Sequence, residues 1–399
     1  MEDIKWVKDS VDLKKINSYY DTVTIKNSGV LETDSYIYAN NFCKAGNLIT
    51  KRLLKKGSIG ELDTWYFALV YVYRQSIELM LKANYYKLEK DMTKRKNFIG
   101  EARHDVKQCF DEIVRLANID ISKNANLIWL NSFLEDISSI DRSSDMFRYP
   151  FGNNLSVVFG EQTYIDLRAN FYNFNRSFEM LSEFFNTNKF SCKKYNEEKS
   201  YEPKLIIDGG SYYEQSVVGY KYHLYSYYPY FTSYIECGNF LLELVDKYGD
   251  RSLFFPMCYM FRNALELGLK RLIVEGSHLE TKKALKILSK KKHSILGLWN
   301  SIYDELYSYT TNGDGVKDLE NAFKYIEAFH NYDQASDKFR YPCNKYLESY
   351  YLDEEEIDVR NLTDSFKELC TFLDAVDFMM INRKENESEM EREYLSNQF

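Results

Sequence analysis

Proline and glycine are scarce in this chain, at five and 17 of 399 residues. That scarcity argues for long helices with few tight turns. The seven cysteines contain no C-x-x-C spacing, so neither a disulfide frame nor a zinc site is expected, and the thiols read as reduced ones of a cytosolic protein. Five histidines are too few and too scattered for a metal cluster. No apolar run reaches the roughly 18 residues that a membrane span needs. Met1-Glu2-Asp3 shows neither a basic nor an apolar leader region, so a signal peptide is not expected. The net charge of −8 argues against a basic nucleic-acid coat. The phosphate-cradling G-x-x-x-x-G-K-[ST], the dinucleotide G-x-G-x-x-G, the metalloprotease H-E-x-x-H and the hydrolase G-x-S-x-G are all missing. No cofactor is therefore expected.

What the chain does have is aromatics, 16% of residues and mostly Tyr and Phe, and one word spelled twice. Phe147-Arg148-Tyr149-Pro150 returns 192 residues later as Phe339-Arg340-Tyr341-Pro342. The match extends upstream, Asp141-x-x-Ser144-Asp145 against Asp333-x-x-Ser336-Asp337. Arg74-x-x-x-Glu78-x-x-x-Lys82 matches Arg262-x-x-x-Glu266-x-x-x-Lys270, and His104 matches His293. Gly46-Asn47 matches Gly238-Asn239, and Ile165-Asp166-Leu167-Arg168 matches Ile357-Asp358-Val359-Arg360. Ordered matches at nearly constant spacing point to duplication. No cysteine takes part in them.

The expected fold class is all-α, two tandem bundles of four to five helices. Residues 1–34 read as an N-terminal extension of uncertain structure, 35–187 as the first repeat and 188–228 as a linker folding onto its neighbours. Residues 229–383 read as the second repeat and 384–399 as a charged, frayed tail. The helices of the first repeat are placed at 36–56, 61–86, 104–117, 127–140 and 166–185. Those of the second include 252–274, 293–306, 318–329 and 359–380. Helices 61–86 and 252–274 are apolar nearly all round, the mark of a central helix. Residues 87–103 and 282–292 read as basic connectors leading to His104 and His293. Pro150 reads as the stop of the helix before it, and residues 154–164 as a short extended excursion. Gly209-Gly210 and Gly313-x-Gly315 read as loop glycines, Trp129 and Trp299 as core.

Arg74, Glu78 and Lys82 lie at i, i+4 and i+8, one stripe on a helix, as do Arg262, Glu266 and Lys270. On an exposed helix such a stripe is a ladder of about 0.3–0.5 kcal/mol per pair. On a buried one, each charge needs a partner. The partners expected are His104, Asp145 and Arg148 in the first repeat, and His293, Asp337 and Arg340 in the second. Two readings stand. One is a structural network docking the helices. The other is a pocket for a phosphate or a nucleotide, with arginine forks and a histidine that titrates near neutrality. The cationic loops before each histidine make a local attractor for anions.

Glu78-Leu79-Met80-Leu81-Lys82 with His104-Asp105-Val106, and Glu266-Leu267-Gly268-Leu269-Lys270 with His293-Ser294-Ile295, resemble the HEPN superfamily. The resemblance covers most of both repeats. It implies compact helical bundles that often dimerise. It also implies a setting of RNA cleavage, nucleotide chemistry, toxin–antitoxin pairs or phage defence in prokaryotes. Nucleases of that family carry R-x(4–6)-H on a late helix. Here the one match is Arg271-x6-His278, at the end of a central helix. The resemblance therefore implies, for catalysis, His104 and His293 as proton-transfer groups to a ribose 2′-hydroxyl, with Arg148 and Arg340 steadying the phosphate. The function expected is an RNA-directed effector of a prokaryotic defence or toxin-type system, acting as a metal-independent ribonuclease. The alternative is a non-catalytic module that binds a nucleotide or a protein partner. A homodimer or protein partner is expected, and no membrane.

Overall fold

In a computed structural model the described chain is mostly helical. The structure describes residues 5–56, 58–152, 157–190, 201–220, 226–310 and 313–396. The N-terminal half carries α1 (Leu31–Lys56), α2 (Ile59–Leu88), α3 (Met92–Ala102), α4 (Val106–Ala117), α5 (Ala125–Ile140) and α6 (Leu167–Thr187). The C-terminal half carries α7 (Tyr228–Tyr248), α8 (Phe254–Arg271), α9 (Thr281–Lys291), α10 (Ile295–Ser308), α11 (Gly313–Tyr332) and α12 (Val359–Ser396). None of these helices is long and apolar enough to cross a membrane.

The all-α expectation holds, with local corrections. The basic connectors are helices. Asp91 starts α3 by accepting from the backbone N–H groups of Thr93 and Lys94, and α9 runs to Lys291 with Lys292 as its C-cap. A cap and a favourable first turn are enough to set a short helix against a neighbour. The charged C-terminal tail is not frayed at residue 384. It continues α12 to Ser396, and Glu387 pairs there with Arg383 and His278. Gly313 and Gly315 lie in the first turn of α11 rather than in a loop. The helix before the corner stops at Ile140, well short of Pro150, and Asp141 is its C-cap. Of the excursion at 154–164, residues 154–156 lie outside the described residues, as does the charged run 193–199.

α2 is buried on every face from Trp65 to Tyr86, and α8 is buried along its whole length. An apolar helix has no face to give to water, so both become axes. α1 packs on α2, α7 packs on α8, and α2 on α7 joins the halves. Glycine permits the close packing within each pair. A Cβ on Gly46 of α1 would sit 2.9 Å from the Tyr73 ring, and one on Gly238 of α7 would sit 3.1 Å from the Phe261 ring. The Tyr73 ring has nowhere to go. Its hydroxyl donates to Asn47 at 2.8 Å, and the ring stacks on Phe174 at 5.1 Å.

Four short strands tie the ends of the chain across the molecule. β1 (Thr22–Ile25) pairs antiparallel with β4 (Glu355–Asp358), with Thr22 opposite Asp358. β2 (Thr163–Asp166) pairs with β3 (Gln215–Val218), with Thr163 opposite Val218. The segment before α1 thus docks on the C-terminal half, and the segment before α7 docks on the N-terminal half. The sequence marks this with a match outside the repeated words above. Ser18-Tyr19-Tyr20 leads into β1, and Ser211-Tyr212-Tyr213 leads into β3. Leu13 and Leu205, also at matching places, are both buried.

Gly46→Ala should destabilise the fold by about 1–3 kcal/mol, because overpacking against a pinned ring outweighs the better helix propensity of alanine. Thermal or urea unfolding checks it. An unchanged midpoint would mean that α1 can step away from Tyr73 freely.

Candidate functional site

The corner forms from its own residues. Asp141 Oδ1 accepts from the N–H groups of Asp145 (2.9 Å) and Met146 (3.0 Å). Ser144 takes φ +60°, a left-handed conformation that a serine adopts only when its surroundings hold it there. Arg148 then folds back, Nε to the Ser144 carbonyl at 2.9 Å and Nη2 to Asp145 Oδ1 at 2.6 Å. The second corner repeats every step. Asp333 Oδ1 accepts from Asp337 (3.0 Å), Ser336 has φ +61°, and Arg340 reaches the Ser336 carbonyl and Asp337 Oδ1, both at 2.6 Å. Both arginines are buried.

Each corner projects its tyrosine into the opposite half. Tyr149 donates to Glu266 Oε1 at 2.7 Å and lies 3.1 Å from His293 Nδ1. Tyr341 donates to Glu78 Oε1 at 2.9 Å and lies 3.2 Å from His104 Nδ1. The partners expected for each stripe within its own repeat are therefore corrected. His104 does join Glu78 and His293 does join Glu266, but the corner comes from the other half. Arg340 reaches Tyr71 Oη (3.3 Å), and its carbonyl accepts from Gln75 Nε2 (3.2 Å), both on α2. The halves differ at one point here. Asn263 stands where Gln75 stands on α2, one methylene shorter. Its amide and Arg148 Nη1 find no partner among the described residues.

Each stripe closes around one carboxylate. Lys82 Nζ lies 2.7 Å from Glu78 Oε1, and Lys270 Nζ lies 2.7 Å from Glu266 Oε1. Arg74 Nη1 lies 3.3 Å from Glu78, and Arg262 Nη1 lies 3.6 Å from Glu266. Both arginines also donate to the histidine backbone, Arg74 to the His104 carbonyl and Arg262 to the His293 carbonyl. The histidines follow strained residues. Arg103 has φ +50° and Lys292 has φ +51°. His104 Nδ1 is 3.1 Å from Glu78 Oε1, and His293 Nδ1 is 2.9 Å from Glu266 Oε1.

Glu78 and Glu266 have no exposed surface. Burial alone would raise their pKa. The lysine, the histidine and the arginine around each outweigh it and hold both carboxyls well below the usual range. Burial lowers the His104 pKa, and Lys82 and Arg340 add to that, against the upward pull of Glu78. At His293 the Glu266 carboxylate pulls upward most strongly, yet burial together with Arg148 and Lys270 brings the ring below its ordinary value. The lysines diverge. Burial works against the charge of both, but Glu78 prevails at Lys82 and raises its pKa, while at Lys270 burial and the nearby Arg148 prevail and lower it. Burial keeps both tyrosines neutral donors.

With Nδ1–H turned to the glutamate, each imidazole presents a basic Nε2. No described residue bonds Nε2 of either histidine, and 29% of the His104 side chain and 32% of the His293 side chain stay open. His293 lines a cavity of about 420 Å³ with Tyr149, Asp145, Tyr227, Lys270 and Lys292. Arg148 is absent from that lining, and the phosphate-steadying role expected of Arg148 and Arg340 finds no geometry. Both guanidinium groups are turned inward to brace the corners. Arg271 and His278 are not brought together. Arg271 pairs with Asp374 and Asp377, and His278 with Glu305 and Glu387. Among the described residues no group of three or more His, Cys, Asp or Glu is placed to hold a metal ion. Tyr149 and Tyr341 complete the sites, and sequence reading passed over them although both stand in the repeated word.

Comparison of the chain with protein-family models, with curated proteins and with solved structures gave no match.

Arg340→Ala should cost about 1–3 kcal/mol, since it removes a buried guanidinium and leaves the Ser336 carbonyl and the Tyr71 hydroxyl without its hydrogen bonds. Unfolding by denaturant reads it, and a loss under 1 kcal/mol would make the brace dispensable. Tyr341→Phe should raise the titration midpoint of His104, because Glu78 then leans more fully on the imidazolium, and should leave His293 unmoved. Histidine ring signals in an NMR pH series decide this. A shift at His293 instead would contradict the crossed pairing.

Proposed function

We propose that this protein is an RNA-directed effector that cleaves RNA by acid–base chemistry, of the kind found in prokaryotic defence or toxin-type systems. The observation that carries the reading is His293. Its Nδ1 is held by a buried carboxylate while its ring faces a cavity that also bears Lys270 and Lys292. A neutral imidazole so oriented takes the proton of a ribose 2′-hydroxyl. Glu266 stabilises the imidazolium that forms, and the lysines favour the phosphate charge. His104 with Glu78 and Lys82 is the counterpart across the molecule. The HEPN resemblance of the two E-x-x-L-K helices supports the same chemistry, and the bond-for-bond agreement of the two corners supports descent of the halves from one duplicated unit. A cytoplasmic setting goes with this reading.

A second reading has its own support. Arg148 and Arg340 brace their own corners, and Arg340 also reaches Tyr71 of the other half, as structural arginines would in a non-catalytic module for a nucleotide or a protein partner.

The purified protein should cleave labelled total RNA in the presence of EDTA, and a His104→Ala/His293→Ala variant of matched melting temperature should not. The lowered histidine pKa sets the pH profile. A base is active once deprotonated, so activity should rise to its plateau with a midpoint below the ordinary histidine value of 6.5. Cleavage surviving in the double variant, or no cleavage by either protein, would leave the binding module.

A further inference from the structure

A second cavity, of about 380 Å³, borders the same corner as the histidine site. Pro150, the residue after Tyr149, is part of its wall. Its floor is the Phe67–Tyr230 stack, rings 4.0 Å apart, with Phe159 edge-on to Phe67 at 5.9 Å. Asp63, on the first turns of α2, also lines it and is the one charged group among the described lining residues. The Asp63 carboxylate accepts from the Val217 N–H at 2.7 Å and from the Tyr220 hydroxyl at 2.8 Å. Those two bonds fix its plane. A carboxylate has about four acceptor positions, so two remain.

The C-terminal half carries a counterpart of this floor. There the matching stack is Phe255 on Tyr38 at 4.3 Å, with Tyr351 beside Phe255 at 5.6 Å. Asn27 lies next to the Tyr38 hydroxyl, and its side-chain amide donates to the Pro342 carbonyl at 2.9 Å and to Ser349 Oγ at 3.0 Å. An N–H-bearing planar group thus lies beside the tyrosine of that stack and satisfies the proline carbonyl of that corner. In the N-terminal half the matching chain position holds Tyr220, whose hydroxyl is turned to Asp63. The floor and the proline remain, a carboxylate has been added, and the planar amide is gone.

We propose that this cavity binds a planar heteroaromatic ring that presents two adjacent N–H donors, the edge that guanine carries. The aromatic floor takes the face of the ring. Asp63 takes the two donors side by side, as a carboxylate pairs with a two-pronged donor. The volume suits a nucleoside. Adenine offers no such pair of donors, so the site discriminates by leaving Asp63 unmatched against the wrong ring. This inference goes beyond the ribonuclease reading and stands whether or not His293 is catalytic. The guanine has two possible sources, a free nucleoside or nucleotide and a base of an RNA strand, and both present the same edge.

Calorimetric titration of the full chain with guanosine, inosine, adenosine and the dinucleotide GpG tests it. Guanosine should bind. Inosine, which lacks the amino group, should bind at least ten-fold more weakly, and adenosine should give no measurable heat. Asp63→Asn, at an unchanged melting temperature, should weaken guanosine at least ten-fold. GpG binding tighter than guanosine assigns the site to a strand, and equal binding assigns it to the free nucleoside. No guanosine binding, or equal affinity for guanosine and adenosine, overturns the proposal. Should Asp63→Asn fail to fold, the guanosine–inosine–adenosine contrast on the wild-type protein decides alone. Because no RNA is cut in the titration, failure here is separable from failure of the cleavage assay.

Discussion

Two carboxylates without exposed surface, Glu78 and Glu266, govern this structure. A lone ion in such a place costs several kcal/mol even after relaxation. The fold answers with four partners around each: an arginine one turn before it, a lysine one turn after, a histidine from the following loop and a tyrosine from the far half, the arginine hydrogen-bonding at Glu78 and standing off at 3.6 Å at Glu266. The first two come with the helix. The third requires the loop after α3 or α9 to be pulled in, which the arginine at the head of the stripe does through the histidine carbonyl. The fourth requires the other half of the molecule. The buried charge therefore demands the docking of the halves, and the corners exist to deliver it.

That dependence explains why backbone strain gathers where it does. Arg103 and Lys292 precede the histidines, and Ser144 and Ser336 stand inside the corners, all with positive φ. Each such residue costs of order 1–3 kcal/mol. The expense is tolerated only where a surrounding network fixes the geometry, and here the network is the same on both sides. Lowered histidine pKa values belong to the same balance. A glutamate beside an imidazole would normally raise its pKa. Here the glutamate is already matched by lysine and arginine, so burial and the remaining cations prevail and the ring is held neutral.

The sequence made much of this legible. The apolar girth of α2 and α8 announced central helices. The i, i+4, i+8 spacing announced one polar stripe on each, and the repeated words picked out the residues that meet. Direction was not legible. Tyr149 and Tyr341 stand in the repeated word, but nothing in a linear repeat says whether a corner serves its own half or the other, because both arrangements preserve the spacing. The same blind spot hid the strands. Ser18-Tyr19-Tyr20 and Ser211-Tyr212-Tyr213 lie outside the helical units by any reading of periodicity, yet each leads a strand onto the opposite half. The Lys-rich stretches before the histidines look like solvated loops because charge says nothing of the aspartate cap at Asp91. The arginines were misjudged for another reason. Sequence records that Arg148 and Arg340 recur, and recurrence fits a brace as well as it fits a binding fork.

The crossing has a consequence for how the two sites relate. Tyr149 belongs to the same ten-residue turn as Pro150, and Pro150 lines the aromatic cavity beside Asp63 while Tyr149 lines the histidine cavity. One corner, held by Asp141 and Arg148, thus contributes to the walls of both cavities. Motion of that wall is opposed by the buried Arg148–Asp145 pair and by the bond from Tyr149 to Glu266. The opposite corner meets stronger resistance, because Gln75 and Tyr71 hold Arg340 where Asn263 leaves Arg148 Nη1 without a described partner. The side of the molecule that carries the aromatic cavity is also the side whose brace, among the described residues, makes one hydrogen bond fewer.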